Sequence, residues 1–480
     1  MPASTQDVLL TIEDGGLGLL SPSGADVHAI IGCCAQGPTN SILSTSNITD
    51  VINTYLRGPA VQAAAVALQI TGAPILFVRV PSATPGASGT ITHTGPGTSV
   101  VTTTGAPYDI YTVALNFITG GTIGVAGITF TYTLDGGKTN SAVQALGTAN
   151  SFVIPNTNMT VNFAAGTVLA NQKESWQTTP PLFAIADVQT ALNMLAASTS
   201  TFRFVHVVGD LTAANAVSLD TSMTSLATQY RFTGLLGNAR DFATADVTEA
   251  AWMTAIQTDY LTYSSLRVSI TAGHYGCPSP IDGVQYRRPL SFQVAARLIG
   301  NPIYIDAGRV KDGKLQNLVT STTDGLIYHD ERNNPGLDAS RFLTVRSIIG
   351  RPGMFVLNPN MMAPPGSDFV WWQYRSIIDQ ACQTARDVLL NYLSTEVRLN
   401  PSGTILEKDA QDIESRLRSA YRDVLVAPGA VSAVSAVCSR VDNIISTKTI
   451  NITIRVTPLG YLKTIKADIG FTNPALAIAA

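Results

Sequence analysis

Charge is what this sequence is short of. Only 13% of its 480 residues are Asp, Glu, Lys or Arg, where an ordinary globular protein carries about a quarter. A dispersed monomer keeps its surface charged to stay in solution. A large chain with 45% hydrophobic residues and a net charge of -3 is therefore suited to having much of its surface covered by partners. An Ala/Thr-rich enzyme is the competing reading of the composition alone. The slightly acidic balance excludes a global attraction for nucleic acid or anionic membranes. No basic residue precedes Arg57, so a secretory signal with a basic start is not expected. Nor is there an uninterrupted apolar run of the roughly 18–20 residues that a membrane helix needs; the stretch from Ala60 to Ile70 is broken by Gln62 and Gln69. The expectation is a protein made and folded in the cytoplasm, with no membrane insertion and no nucleic acid partner.

Cysteine is scarce and scattered: Cys33, Cys34, Cys277, Cys382 and Cys438. An odd number, an adjacent pair and the lack of CxxC spacing argue for buried free thiols rather than a disulfide frame. Signatures of chemistry are missing as well. There is no Walker-type loop and no GxGxxG after the first strand, hence no visible phosphate cradle. There is no GxSxG elbow. His28, His93, His206, His274 and His329 form no HxxxH or HExxH pair. His206 lies in an apolar run and is read as a hydrogen-bonded core imidazole. Asp324, His329, Asp330 and Glu331 have the chemistry to hold a cation, but Asn333-Asn334-Pro335-Gly336 beside them marks a solvated loop. Arg287, Arg288, Arg297 and Arg309 read as a scattered solvated face or as a group meeting an acidic partner, and Trp371-Trp372 as core anchors at a helix start. No catalytic residue, metal site or cofactor is assigned.

What is present is a recurring α/β pattern. At 480 residues the length favours roughly three packed units. Residues 1–24 form an arm in which Val8, Leu10 and Ile12 share one face of a lone strand that must pair elsewhere. Residues 25–80 open the α/β body. A buried strand spans Val27 to Gly32, Asn47 to Leu56 is helical, and a second helix has Pro59 at its first position and Gly72 at its C-cap. A strand from Ile75 to Val80 follows. Between 81 and 181 the texture turns to Thr, Gly, Ser and Ala, with Asp109, Asp135, Lys138, Lys173 and Glu174 the only ionised side chains. Alternation from Ile128 to Leu134, ended by Asp135-Gly136-Gly137, reads as a strand entering a turn. This segment is expected to be an inserted, β-rich outer domain.

The α/β body resumes over 182–340. The expected elements are a helix capped by Asp187, a strand from Phe204 to Val208, a helix from Leu211 to Tyr230, a strand from Leu266 to Ile270, and a helix from Pro289 to Leu298. In 341–480, Ser367 or Asp368 caps a long helix with Tyr374, Ile377, Ile378, Ala381, Ala385, Val388, Leu389 and Tyr392 on one stripe. A second helix runs from Asp409 to Leu425 and stops at Pro428-Gly429. Ile450, Ile452, Ile454 and Val456 then alternate with polar residues. After a turn at Pro458-Leu459-Gly460, Ile465, Ala467, Ile469 and Phe471 do so again, so the two runs are expected to pair antiparallel. The fold class is α/β: a parallel or mixed sheet core split by an inserted all-β domain, plus a C-terminal α+β part with long helices and a terminal strand pair.

The order of these segments resembles the contractile tail sheath family of myophages, R-type pyocins and type VI secretion systems. The resemblance is carried by Ala29 to Pro38, a strand ending in a small-residue turn and Gly37-Pro38. It extends through Asp50 to Leu56, the alanine-rich helix and Val78-Arg79-Val80, then Ile349 to Val356, Ser367-Asp368-Phe369 before the long helix, and the closing strands with Pro458 in their turn. The sequence departs from the pattern at Thr71-Gly72-Ala73, where the family has Asn-Gly-Gly, and in the insertion. The resemblance implies a structural protein of the virion tail, assembled in host cytoplasm as stacked hexameric rings. Its implied partners are other sheath subunits, the tail tube protein, and baseplate and tail terminator proteins. It implies strand exchange between subunits by Val8, Leu10 and Ile12 at one end and by Ile450, Ile452, Ile454, Val456, Ile465, Ile469 and Phe471 at the other. Gly15, Gly16 and Gly18 would be hinges. Another self-assembling shell or tube protein, or an α/β enzyme with an unrecognised site, are the alternatives; a tube protein would be shorter and mostly β.

Overall fold

The computed structural model describes residues 27–243, 245–320 and 327–471. Two compact units divide the chain, one ending at Gln380 and the other beginning at Ala381. The first is organised by a sheet whose strands are β1 (His28–Gly32), β2 (Ile42–Thr45), β3 (Ile75–Arg79), β4 (Phe204–Asp210), β5 (Gly234–Asn238) and β6 (Val268–Thr271), in the spatial order β6-β5-β4-β1-β3-β2. All neighbours are parallel except β2, which runs antiparallel on the β3 edge. Residues of both parities in β1, β3 and β4 are buried. That is why these strands read as continuous apolar runs: a parallel sheet is covered on both faces.

Helices supply the covering layers. On one face Ile30, Ile75 and Phe77 pack against α1 (Ile48–Tyr55) and α2 (Pro59–Thr71), and α6 (Ser291–Gly300) adds Phe292. On the other, Ala29, Ile31, Val205 and Leu235 pack against α3 (Ile185–Ala197), α4 (Ala213–Thr228) and α5 (Glu249–Asp259). In α2 every residue from Ala60 to Leu68 is buried. Such a helix fits between a sheet and another helix because alanine leaves little side chain to accommodate. Pro59 starts it and Gly72, in the left-handed region, ends it, as the sequence predicts. Asn47 caps α1 by accepting from the Thr49 N–H.

Several local expectations shift. Asp187 lies in the first turn of α3 while Ala184 occupies the cap position, so the carboxylate acts on the helix dipole and makes no cap bond. The helix expected from Pro289 begins at Ser291, because Pro289 ends β8 (Gln285–Pro289), which pairs antiparallel with β7 (His274–Pro278). Arg79 of the Val-Arg-Val segment donates to the Cys34 and Gly37 carbonyls at 3.2 and 2.5 Å. The two segments that carry the resemblance at the front of the chain thus meet. Gly37 has φ +95°, and a Cβ there would lie 2.5 Å from the Tyr55 ring, so only glycine fits.

Between β3 and α3 the described chain builds strands and no helix. One sheet pairs Thr112–Thr119 with Thr129–Thr133 and Lys173–Thr179; another joins Val101–Thr104, Met159–Phe163 and Ser151–Ile154. Phe117, Phe130, Met159, Val161, Phe163 and Trp176 form their shared core. All three acids of this segment, Asp109, Asp135 and Glu174, are buried. Asp109 accepts two hydrogen bonds from Arg288 of β8, at 2.6 and 2.8 Å, both residues being about 2% exposed. Arg287 pairs with Asp241 in the same way, at 2.6 and 2.9 Å. This overturns the solvated-face reading for Arg287 and Arg288, each an internal clamp; Arg297 donates to the carbonyls of Asp312, Gly313 and Lys314, while Arg309 keeps a partly exposed side chain and pairs with Asp312 three residues on.

The long helix α7 (Trp372–Leu389) begins later than either expected cap, since Ser367 uses its hydroxyl to accept from the Phe369 N–H in a turn. Trp372 is a buried anchor, and Trp371 stacks on Tyr374. In the second unit, α8 (Glu407–Tyr421) runs into a π-helical turn, Arg422–Val426, and ends before Gly429 at φ +77°. Then come β9 (Val431–Cys438) and β10 (Ile452–Pro458), which pair with each other. The expected pairing of β10 with the run from Ile465 to Phe471 is therefore corrected. Residues 459–471 carry no strand, and β9 takes the partner's place.

Candidate assembly interface

The β9–β10 ribbon is the part of the described molecule with unfinished business in its backbone. Among the described residues no third strand joins it. An antiparallel ladder turns the main-chain groups of alternate residues toward the partner and those between them outward. On β9 three of the outward groups are settled by side chains: Glu414 of α8 accepts from the Cys438 N–H at 2.8 Å, Arg418 donates to the Ala436 carbonyl at 3.2 Å, and Arg440 donates to the Cys438 carbonyl at 2.6 Å. Opposite these residues stand Ile452, Ile454 and Val456, whose main-chain groups by the same parity face away from β9 along the far edge of β10. No strand pairs with that edge among the described residues. One edge is closed by charged side chains and the other is open.

The charges that close the β9 edge form a node. Glu414 also receives Arg440 and, at 3.1 Å, Arg418; Arg440 reaches Glu407 at 2.9 Å. The hydrogen bond from Arg440, helped by the Cys438 N–H, holds the Glu414 carboxyl below the usual carboxylate range, against the opposing pull of burial. Burial pushes the Cys438 thiol up to about 11, so it stays neutral and packs as an apolar group.

The predicted exchange residues separate into three groups. Val8, Leu10, Ile12, Gly15, Gly16 and Gly18 lie outside the described residues. Ile452, Ile454 and Val456 stand on one half-buried face of β10, and Ile450 precedes that strand. Ile465, Ile469 and Phe471 are 77%, 96% and 110% exposed. They are alternating apolar side chains with nothing over them. β9 was hidden in the sequence because its apolar residues, Val431, Ala433, Val434, Ala436, Val437 and Cys438, do not alternate with polar ones. The usable signal was the charge-free run from Ala430 to Ser439 after Pro428-Gly429.

Other predicted residues resolve elsewhere. His206 is buried, but neither ring nitrogen has a hydrogen-bond partner among the described residues, which corrects its reading as a hydrogen-bonded imidazole; it meets Phe292 edge-on. Asp324 lies outside the described residues. His329 bridges Glu249 and Glu331 at 2.8 Å on each side, and these two hydrogen bonds hold its pKa up against burial. Among the described residues no group of three or more His, Cys, Asp or Glu is arranged to hold a metal. The cysteines are free, four buried and Cys382 partly so. No described helix is long and apolar enough to cross a membrane.

No curated protein matches the sequence. Among solved structures, a chain of the anti-feeding prophage baseplate superposes with a TM-score of 0.52 at 9% identity, over 98% of this chain and 100% of that one. A chain of the PVC sheath complex, an extracellular contractile injection system in the contracted state, gives 0.51 at 8% identity over 99% and 100%. A sheath tail protein from Listeria innocua is similar at 13% identity over 91% and 96%, with a TM-score of 0.46. At these identities the likeness is one of fold. The sequence profile of the DUF2586 N-terminal domain matches residues 5–360 and that of the DUF2586 C-terminal domain residues 368–476. The chain therefore belongs to the DUF2586 family, and its fold is shared with a chain of a contractile injection system sheath complex.

Proposed function

We propose that this protein is the structural subunit of a contractile tail sheath and acts by assembly, not catalysis. Subunits stack as hexameric rings around a tail tube between baseplate and terminator. A rigid-body rearrangement then shortens the array and drives the tube through a host envelope. The observation that carries this reading is the ribbon: an open β10 edge beside a capped β9 edge, followed by an uncovered apolar run from Leu462 to Phe471. A strand from another copy laid on β10 recovers about 1 kcal/mol net per backbone hydrogen bond and covers the half-buried face of Ile452, Ile454 and Val456. The arm bearing Val8, Leu10 and Ile12 and the run ending at Phe471 are the donors, with Gly15, Gly16 and Gly18 letting the arm swing while the linkage persists. The β-rich segment between residues 81 and 181 stands on the outside of the array as a separate domain, since its bulk would obstruct packing against a tube.

Removal of residues 1–14 tests the reading. The truncated chain is expected to fold, as judged by circular dichroism, and to sediment as small species where the full chain forms tubes visible in negative stain. Wild-type tubes from the truncated chain would overturn strand donation. A full chain that stays monomeric when concentrated would overturn the sheath reading altogether.

A further inference from the structure

Where the β-rich segment meets the sheet-bearing body, a cleft of about 270 Å³ opens between α2, the β7–β8 turn and loops of the segment. Arg57 and Gln62 line it from the body, Tyr111 and Tyr132 from the segment, and Asp282 and Tyr286 from the hairpin. Gln62 and Tyr111 are each 3% exposed as whole residues, and neither the Gln62 amide nor the Tyr111 hydroxyl hydrogen-bonds to a described residue. Their polar atoms are not among the fully enclosed ones, so what little of each side chain is open presents hydrogen-bonding groups to the cleft. Two such groups facing one cavity are free to meet a ligand there.

We propose that this cleft binds a single neutral sugar ring. Its volume falls just below the roughly 300–1,000 Å³ of ligand pockets, room for one ring and not for a nucleotide. Every lining residue from the β-rich segment is uncharged. The body and hairpin contribute one cation and one anion, so neither an anion nor a cation finds a complementary site. A hydroxylated ring uses both. Arg57, whose one hydrogen bond among the described residues goes to the Leu56 carbonyl, is a donor. Asp282, which accepts from the Tyr286 hydroxyl at 3.0 Å and the Val284 N–H at 3.2 Å, has lone pairs left as an acceptor. Gln62 offers both roles from one planar amide, and Tyr111 offers its hydroxyl. Burial raises the Tyr111 phenol well above its ordinary range, so it stays a neutral donor. The half-buried Tyr132 ring supplies an aromatic face for the C–H side of the sugar.

The test is a titration of the full chain, by calorimetry and saturation-transfer NMR, with the methyl glycosides of glucose, galactose, mannose and N-acetylglucosamine. Glucuronate and glucosamine serve as charged controls. At least one neutral glycoside is expected to bind at millimolar affinity or better, with both controls weaker. Gln62→Leu and Tyr132→Ala should each weaken that binding about tenfold, the effect of one lost polar or stacking contact. Gln62→Leu removes an unpartnered amide and so should keep the unfolding midpoint, which leaves the test decisive if Tyr132→Ala misfolds. No binding by the folded chain, as for a cleft that holds only water, overturns the proposal. So does binding of the charged controls alone, or a Gln62→Leu variant that binds as tightly as the parent. Polymerisation plays no part in any of these readouts.

Discussion

The Asp109–Arg288 clamp and the β9–β10 ribbon treat polar groups in opposite ways. Asp109 and Arg288 are 179 residues apart in sequence and joined by two hydrogen bonds in a place that water barely reaches. Both charges there are paired within one chain. In the ribbon one edge is partly closed, by Glu414, Arg418 and Arg440, while the edge along Ile452, Ile454 and Val456 has no strand beside it among the described residues. The lesson is that a buried charge is paired within the chain where a fold stands by itself, whereas a strand edge is left open where it is finished by another molecule.

The sharpest way to break this contrast is to unsettle the clamp. Arg288→Ala leaves Asp109 buried without its partner and should cost about 3–5 kcal/mol, since a single buried charge is far worse than a buried pair. The denaturant midpoint should fall clearly. Arg288→Met combined with Asp109→Leu should recover most of the loss. A midpoint unchanged in Arg288→Ala would mean that the pair is not closed to water.

Acid probes the same self-sufficient region. His28 and His206 stand on adjacent strands, fully buried and with no hydrogen-bond partner for either ring, and burial lowers both pKa values to about 3, with Arg203 adding to the effect on His28. Both are neutral in the fold, and in the unfolded chain each titrates near 6.5. Their contribution is therefore fully present above about pH 6.5 and is lost as pH falls from there toward 3, at about 1.4 kcal/mol per pH unit for each ring. By pH 5 this amounts to about 2 kcal/mol each. His329 works in the opposite sense, its raised pKa contributing stability that is full below 6.5 and lost as pH rises through the folded value. Urea midpoints at pH 7 and pH 5 should differ strongly in the parent and much less in His28→Phe with His206→Leu. Equal differences in the two proteins would assign the acid sensitivity elsewhere.

At the other extreme, Ile469→Asp with Phe471→Asp should change the unfolding free energy by less than about 0.5 kcal/mol, because these side chains touch nothing that folds. Assembly should nonetheless fail in sedimentation. A drop in stability would show that the run is already covered within the chain, and intact tubes would show that it is not used between chains.

How legible each region was follows the same line. The buried strands β1, β3 and β4 were readable because a sheet covered on both faces demands unbroken apolar runs, and α2 because Pro59 and Gly72 punctuate it. The ribbon was half readable. The alternation of Ile452, Ile454 and Val456 marked a strand, but the same alternation in Ile465, Ile469 and Phe471 suggested the wrong partner for it. Alternation reports that one face is apolar and does not report what covers it.

The sequence by itself determined which segments bury their side chains and where the chain must turn, since those follow from the spacing of apolar residues and from Pro and Gly within a few positions. Only the tertiary structure decided that Arg288 is an internal clamp, that β9 is the companion of β10, and that Gln62 and Tyr111 face a common cleft. Each of those depends on groups brought together from distant parts of the chain, and no local pattern encodes how a charge or a strand edge is met across such a distance.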